Sequence, residues 1–314
     1  MKTNIPFTLD TKKSISALGE SALIKQIKIW LGRTNPRSPF GIGDDCAVLP
    51  ASKTSQLVTV DPIIYGRHFD QSVTAEQAGS KLLKRNISDI AAMGGKPTYC
   101  VISLSLDSHV KLSWLKSFYT GLRKTAEKYS ILIVGGDIAE TKGACSATLT
   151  LLGKTASKRF LTRHSAKPND FIFVTGKLGL SLQSGHHYSF TPRLNEALWI
   201  SKQTAVNSLM DLSDGLAKDI NCLVPKKAVA CIYSDKLPLR SKASIKEALC
   251  DGEDYELLFT VSNKTNPEHF KSQWKKKFPN VELSLIGHMC PQGKRPSSAL
   301  NLSAFQGYEH LSKQ

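Results

Sequence analysis

The chain has 314 residues, with 42 Lys and Arg against 26 Asp and Glu, a formal net charge of +16. Hydrophobic residues make up 41% and charged residues 22%, which fits a globular protein, and the length exceeds what one core usually fills. Two domains of roughly 150 residues each are therefore expected, and the alternating elements below make them α/β. Met1 to Ser16 is polar without the apolar run of a secretory signal, and no uninterrupted apolar stretch is long enough to span a bilayer. The cysteines Cys46, Cys100, Cys145, Cys222, Cys231, Cys250 and Cys290 are scattered with no C-x-x-C, so reduced thiols in a cytoplasm are expected rather than disulfides or a zinc site.

In chain order, Leu23, Ile27, Trp30 and Leu31 predict a helix over Leu18–Leu31, stopped by Pro36 and Pro39. Short strands are expected at Cys46–Leu49 and Leu57–Val60. A helix over Ala75–Met93 shares Leu83, Ile87, Ile90 and Ala91 on one face and ends at Gly94-Gly95. Alternation predicts a strand at Tyr99–Leu106, then a helix over Ser113–Tyr129 and strands at Ile131–Val134 and Ala147–Leu152. The basic segment Gly153–Asn169 reads as a linker, which divides the chain into domains 1–154 and 155–314. The second half offers strands at Phe171–Thr175, Val229–Tyr233, Glu256–Val261 and Val281–Ile286. Its helices are expected at Asn195–Val206, Asp214–Leu223, Ile245–Cys250 and Glu268–Phe278.

Aspartates stand at the ends of these elements. Asp44 and Asp45 follow Gly41-Ile42-Gly43, Asp61 ends a strand, Asp89 lies in a helix, and Asp137 follows Gly135-Gly136. Asp211 and Asp214 flank Leu212-Ser213 ahead of Gly215. Any one of them alone reads as a turn or a helix cap. Together they need counter-charge, since like charges in one pocket disfavour each other's ionisation. Magnesium supplies it: the ion prefers oxygen ligands and bridges a few carboxylates to substrate phosphates. A Mg-nucleotide site is the expectation.

Other phosphate motifs are excluded. Gly94-Gly95-Lys96-Pro97-Thr98 lacks the earlier glycine of a P-loop and has Pro97 at its Ser/Thr position. Gly41-Ile42-Gly43 begins a dinucleotide fingerprint, but Cys46 replaces its third glycine. No protein-kinase H-R-D or D-F-G occurs. His186-His187 is a poor metal pair, because adjacent side chains diverge. The net charge would suit a polyanion. Its basic runs Lys226-Lys227 and Lys275–Lys277 lack the interleaved aromatics of a nucleic-acid groove, so a basic nucleic-acid-binding protein leaves the ordered aspartates unexplained.

The motifs in order are Leu18-Gly19-Glu20, Gly41–Asp45, Asp61 with Gly66–Phe69, Asn86–Gly94, Val134–Asp137, Leu161–Arg163, Asp211–Leu216, Gly252–Leu257 and Gly307–His310. In this order the chain resembles the thiamine-monophosphate kinase family over nearly its whole length. The resemblance implies the two-domain fold of the aminoimidazole-ribonucleotide-synthetase superfamily, an N-terminal α/β domain dimerising through its sheet and a C-terminal α/β domain. It implies ATP-dependent phosphorylation of thiamine monophosphate. Asp45, Thr59, Asp61, Asp89, Asp137, Asp211 and Asp214 would then hold several magnesium ions. Gly136, Asp137, Arg163 and Ser213 would contact ATP, with Tyr119 beside the adenine. His68, Glu253 and Tyr308 would contact thiamine monophosphate, and Asp89, Asp137 and Arg163 would be catalytic.

The chain departs from that pattern at Tyr65, at Val60, at Ile138-Ala139-Glu140, at Asp251, and in a shortened segment from Gly179 to Pro192. Within the superfamily, an aminoimidazole-ribonucleotide-synthetase-like ligase is the alternative. It is disfavoured by the pair Asp211–Leu216 and Gly252–Leu257, which reads more like the thiamine enzyme.

Overall fold

Leu23, Ile27 and Leu31 recur every four residues and are the buried side chains of helix α1, Glu20–Leu31. Glu20 in its first turn and Lys28 in its last complement the helix dipole. The structure, a computed structural model, describes residues 4–38, 40–42, 47–156 and 159–309. These fall into two compact units, one running to Ile90 and resuming over Lys96–Lys154, the other comprising Ala91–Gly95 and the residues from Thr155 onward. Among the described residues, no helix is long and apolar enough to cross a membrane.

The first unit is built on a four-stranded sheet in the order β1-β4-β2-β3. Its strands are β1 (Gln56–Ile64), β2 (Gly95–Leu106), β3 (Leu132–Glu140) and β4 (Cys145–Thr155), with helices α2 (Ala75–Ala92) and α3 (Leu112–Tyr129) between them. β1 runs antiparallel to β4, and β2 parallel to β3. Every second residue of β4, from Cys145 to Leu151, is buried, so one sheet face is covered. On the other face β1 exposes Val58 at 72% and Val60 at 59%.

Three expectations shift here. Residues 47–49 form no strand, while Cys46 and the motif residues Gly43–Asp45 lie outside the described residues. β1 does not stop at Val60 but continues through Asp61 and Pro62. It is an edge strand, where proline's missing N–H costs no ladder bond. β3 likewise continues through Gly135-Gly136-Asp137, so Asp137 sits in a strand rather than beyond one.

The second unit has a five-stranded sheet, β6-β8-β5-β9-β7. Its strands are β5 (Phe171–Thr175), β6 (Val206–Asp211), β7 (Ala228–Ile232), β8 (Leu257–Val261) and β9 (Leu283–Pro291). Their pairings are antiparallel. Helices α4 (His186–Ser189), α5 (Leu194–Ile200), α6 (Leu216–Asp219), α7 (Ile245–Cys250) and α8 (Pro267–Lys277) connect them. Ile172 and Val174 of β5 join one core, and Phe173 between them joins the other, so both faces of the sheet are buried.

The predicted helix over Asn195–Val206 ends at Ile200, and Val206 instead opens β6. Asn207 and Ser208 hid that strand by breaking its apolar run. Their polar groups are satisfied inside: Ser208 Oγ lies 2.7 Å from Thr260 Oγ1, and Asn207 donates to Asp170 at 2.8 Å. The helix expected over Asp214–Leu223 is only the short α6 followed by a 3-10 turn at Ile220–Cys222. The expectation that all cysteines are reduced thiols is also corrected. Cys231 on β7 and Cys290 on β9 form a disulfide, brought together by a register that sets Cys231 opposite His288.

Candidate active site

In the first unit a cleft of about 490 Å³ opens between α1, α3 and β3. Ile24, Ile27, Tyr119 and Ile133 give it an apolar wall, and Gly135, Gly136 and Asp137 form its polar end. Tyr119 is 4% exposed and meets Trp30 at a ring separation of 6.1 Å. Burial raises the Tyr119 hydroxyl pKa, so it stays protonated. The sheet register slips between Cys100 and Val101, so that Ile133 and Gly135 become successive partners and Val134 is bulged out. That bulge lies just ahead of the Gly-Gly-Asp run. At Gly136 a Cβ would stand 2.2 Å from the Ile102 carbonyl, so β2 and β3 approach closely only because this residue has no side chain. Asp137 is exposed beside it.

On the opposite edge, Thr59 and Asp61 point to the same side of β1, two residues apart. Thr59 Oγ1 donates to Asp89 Oδ2 of α2 at 2.5 Å, and Arg85 Nη2 lies 3.4 Å from Asp61 Oδ1. Thr59, Asp61 and Asp89 therefore form one polar group. Gly136 and Asp137 belong to β3, three inter-strand spacings or about 14 Å across the sheet from β1. His68 lies just beyond β1. Its Nδ1 accepts from the Ile64 N–H at 3.1 Å, which puts the neutral ring's proton on Nε2.

In the second unit, chain reversals bring together residues far apart in sequence. Glu253 N–H donates to the Ser213 carbonyl at 2.7 Å, and Tyr308 N–H to the Asp214 carbonyl at 2.8 Å. Ser213, Asp214, Glu253 and Tyr308 thus converge. A Cβ at Gly252 would stand 2.6 Å from the Ser213 carbonyl, which explains the glycine ahead of Glu253. Lys218 Nζ binds Asp214 Oδ2 at 2.8 Å and the Tyr308 carbonyl at 2.6 Å. Asp211 is 2% exposed at the end of β6, while Arg163 is exposed beside a residue, Thr162, whose carbonyl accepts from Leu209 of that strand.

Sequence reasoning missed Asp219, Lys218 and His187. Asp219 Oδ2 accepts the N–H groups of Ser213 (3.0 Å) and Asp214 (2.9 Å), fixing the turn between them. Burial, reinforced by the Asp214 and Asp211 charges, pushes its carboxyl up to about 7. Its signal was an acidic residue one turn into a predicted helix that follows a Ser-Asp-Gly turn. His187 Nδ1 lies 3.3 Å from Glu253 Oε2.

Among the described residues, the one cluster of three possible metal ligands within 4.8 Å of each other is Cys231, His288 and Cys290, and its two sulfurs are bonded to one another. The aspartates form no preformed cage among the described residues. Magnesium keeps several waters and takes one or two protein carboxylates beside substrate phosphates. Exposed Asp137 and the Asp89–Thr59 oxygen pair offer such donors.

Comparison with known proteins follows the same lines. Residues 43–155 match the family described as AIR synthase related protein, N-terminal domain. The chain is 32% identical over 305 residues to the thiamine-monophosphate kinase of Aquifex aeolicus (strain VF5), spanning 88% of this chain and 92% of that protein. A crystal structure of thiamine-monophosphate kinase from Stenotrophomonas maltophilia K279a superposes with a TM-score of 0.73 at 28% identity, covering 90% of this chain and 98% of that one. A structure of AaThiL complexed with AMPPCP and TMP superposes with a TM-score of 0.68 at 30% identity, covering 94% and 98%.

Proposed function

The chain belongs to the thiamine-monophosphate kinase family, and on that footing we infer that it transfers the γ-phosphoryl group of ATP to thiamine monophosphate. The products are thiamine diphosphate and ADP. The cleft of the first unit gives this the most support. Its apolar wall with Tyr119 suits an adenine, and Gly136 and Asp137 stand where a triphosphate would emerge. AMPPCP and TMP in the AaThiL complex fit the same pair of substrates.

The acceptor is a phosphate monoester whose second pKa is about 6, so it is already largely an oxyanion at neutral pH. One of its oxygens attacks the γ-phosphorus while the bond to the β-bridging oxygen breaks and ADP leaves. No protein base has to remove a proton. The residues' task is positioning and charge neutralisation. Gly136, Asp137, Arg163, Ser213 and Tyr119 would hold ATP, and His68, Glu253 and Tyr308 would hold thiamine monophosphate. Asp45, Thr59, Asp61, Asp89, Asp137, Asp211 and Asp214 would hold magnesium, and Asp89, Asp137 and Arg163 would be catalytic. Magnesium, when bound, neutralises the charge of the phosphates. Direct in-line transfer is part of the proposal, and a phosphorylated enzyme trapped during turnover would sink it.

Exposed Val58, Val60 and Ile64 on edge strand β1 support a homodimer formed through this sheet. We place the enzyme in the cytoplasm, where its nucleotide substrate is found. The test is to incubate purified protein with ATP, Mg²⁺ and thiamine monophosphate and detect thiamine diphosphate directly, beside Asp89→Ala. Product from the natural chain and a loss of roughly 100-fold or more in kcat for the variant are expected. Mg-ATP binding without product would redirect the search to other acceptors.

A further inference from the structure

The run Gly252–Leu257 carries three acidic residues, and the fold uses them differently. Asp254 is 1% exposed and turned inward, accepting from Ser181 Oγ at 2.6 Å and Arg240 Nη1 at 3.0 Å. Glu256, 2% exposed, takes both Nε and Nη2 of Arg193 at 2.6 Å each and the Thr175 hydroxyl at 2.7 Å. Glu253 remains, its side chain 18% exposed. Both Glu253 (φ 64°) and Tyr255 (φ 50°) have left-handed backbone, which costs a non-glycine residue energy and persists only where the surroundings enforce it. The Ser213 and Leu212 carbonyls enforce it, accepting the N–H groups of Glu253 (2.7 Å) and Tyr255 (2.8 Å).

Two side chains then bracket the Glu253 carboxylate. His187 Nδ1 stands 3.3 Å from Oε2, and the Tyr255 hydroxyl donates to Oε1 over 3.3 Å. Neither partner moves easily. Tyr255 stacks on Phe190 with ring centroids 4.1 Å apart. His187 belongs to α4, whose neighbouring His186 binds the Asp254 carbonyl through Nε2 at 2.9 Å. His187 itself is 8% exposed in its side chain, and its N–H donates to the Ser181 carbonyl at 3.0 Å. This helix lies between Gly179 and Pro192.

We propose that His187 and Tyr255 are positioning residues that hold Glu253 in one orientation for a cationic nitrogen heterocycle of the acceptor substrate. The inference rests on the reading that Glu253 contacts thiamine monophosphate. A glutamate free to rotate loses side-chain entropy when it grips a ligand, and donors that fix it beforehand remove that cost. A carboxylate offers about four lone-pair directions, so neighbours that orient it do not by themselves bar a substrate contact. The Tyr255 bond is long for a hydrogen bond, and His187 adds a ring nitrogen within ion-pair distance of the other oxygen.

The experiment is a double-mutant cycle on the full-length enzyme, reading KM for thiamine monophosphate, KM for ATP and kcat. The variants are His187→Ala, His187→Gln, Tyr255→Phe, Glu253→Gln and the pair H187A/E253Q. His187→Ala is expected to raise KM for thiamine monophosphate about ten-fold, with kcat and KM for ATP within about two-fold. His187→Gln, which restores an N–H donor, recovers part of the loss. Tyr255→Phe, which keeps the stack, gives a smaller change of the same kind. On the E253Q background, H187A adds nothing. An equal effect of H187A with and without E253Q overturns the inference, as does a parallel loss in both KM values and kcat. Glu253→Gln raising KM for thiamine monophosphate while H187A does not overturns the positioning role alone. An E253Q enzyme with unchanged KM overturns the inference by removing the substrate role of Glu253 beneath it.

Discussion

As sequence, the Gly-Gly-Asp end of the first unit resembles the Gly-Glu-Asp-Tyr-Glu run of the other: glycine, then acid. Their surroundings differ. Asp137 is exposed on a bulged strand at the mouth of a cleft, whereas Asp254 and Glu256 are sealed inside with arginine partners and only Glu253 keeps an outward share. A carboxylate left accessible at the edge of a sheet can serve a ligand. One enclosed with a guanidinium serves the fold, because separating the pair would strand a charge away from water.

The largest effect should come from breaking the enclosed pair. Arg193→Ala leaves Glu256 buried without its bidentate partner and should cost roughly 3–5 kcal/mol in denaturant unfolding. A loss below about 1 kcal/mol would mean the two acidic runs are not so different. Gly136→Ala tests the other side. The added Cβ, 2.2 Å from the Ile102 carbonyl, must push β2 and β3 apart, at a cost of about 1–3 kcal/mol. KM for ATP should rise as well, and a rise without lost stability would show that the cleft, not the strand pairing, needs the glycine.

The smallest effect concerns Asp107, in the first unit but away from the cleft. N–H donors from Gly143 (2.6 Å) and His109 (2.8 Å) hold its carboxyl down to about 2. Since the unfolded value is about 3.9, its stabilisation is fully present above that pH and fades as pH falls through about 2. Asp107→Asn should therefore flatten the stability profile between about pH 4 and pH 2 and nowhere else, as followed by thermal melts.

Helices with a long apolar stripe were legible from spacing alone: α1, α2 and α3 lie within two residues of their expected bounds. β6 was not, because Asn207 and Ser208 broke its alternation and find their partners on other segments. Asp219 escaped notice for a similar reason. Its importance lies in two backbone N–H groups that point at it only once the turn has formed.

Motif order in the sequence was enough to determine the family, because each run of glycine and acid is a local requirement of backbone and charge. Which acids stay accessible and which are enclosed was decided by tertiary structure. Strand register set Gly136 against Ile102, chain reversal brought Ser213 to Glu253 and Asp214 to Tyr308, and α4 delivered His187 to the Glu253 carboxylate. Burial and partnership of a charge depend on residues distant along the chain, and no local spacing encodes them.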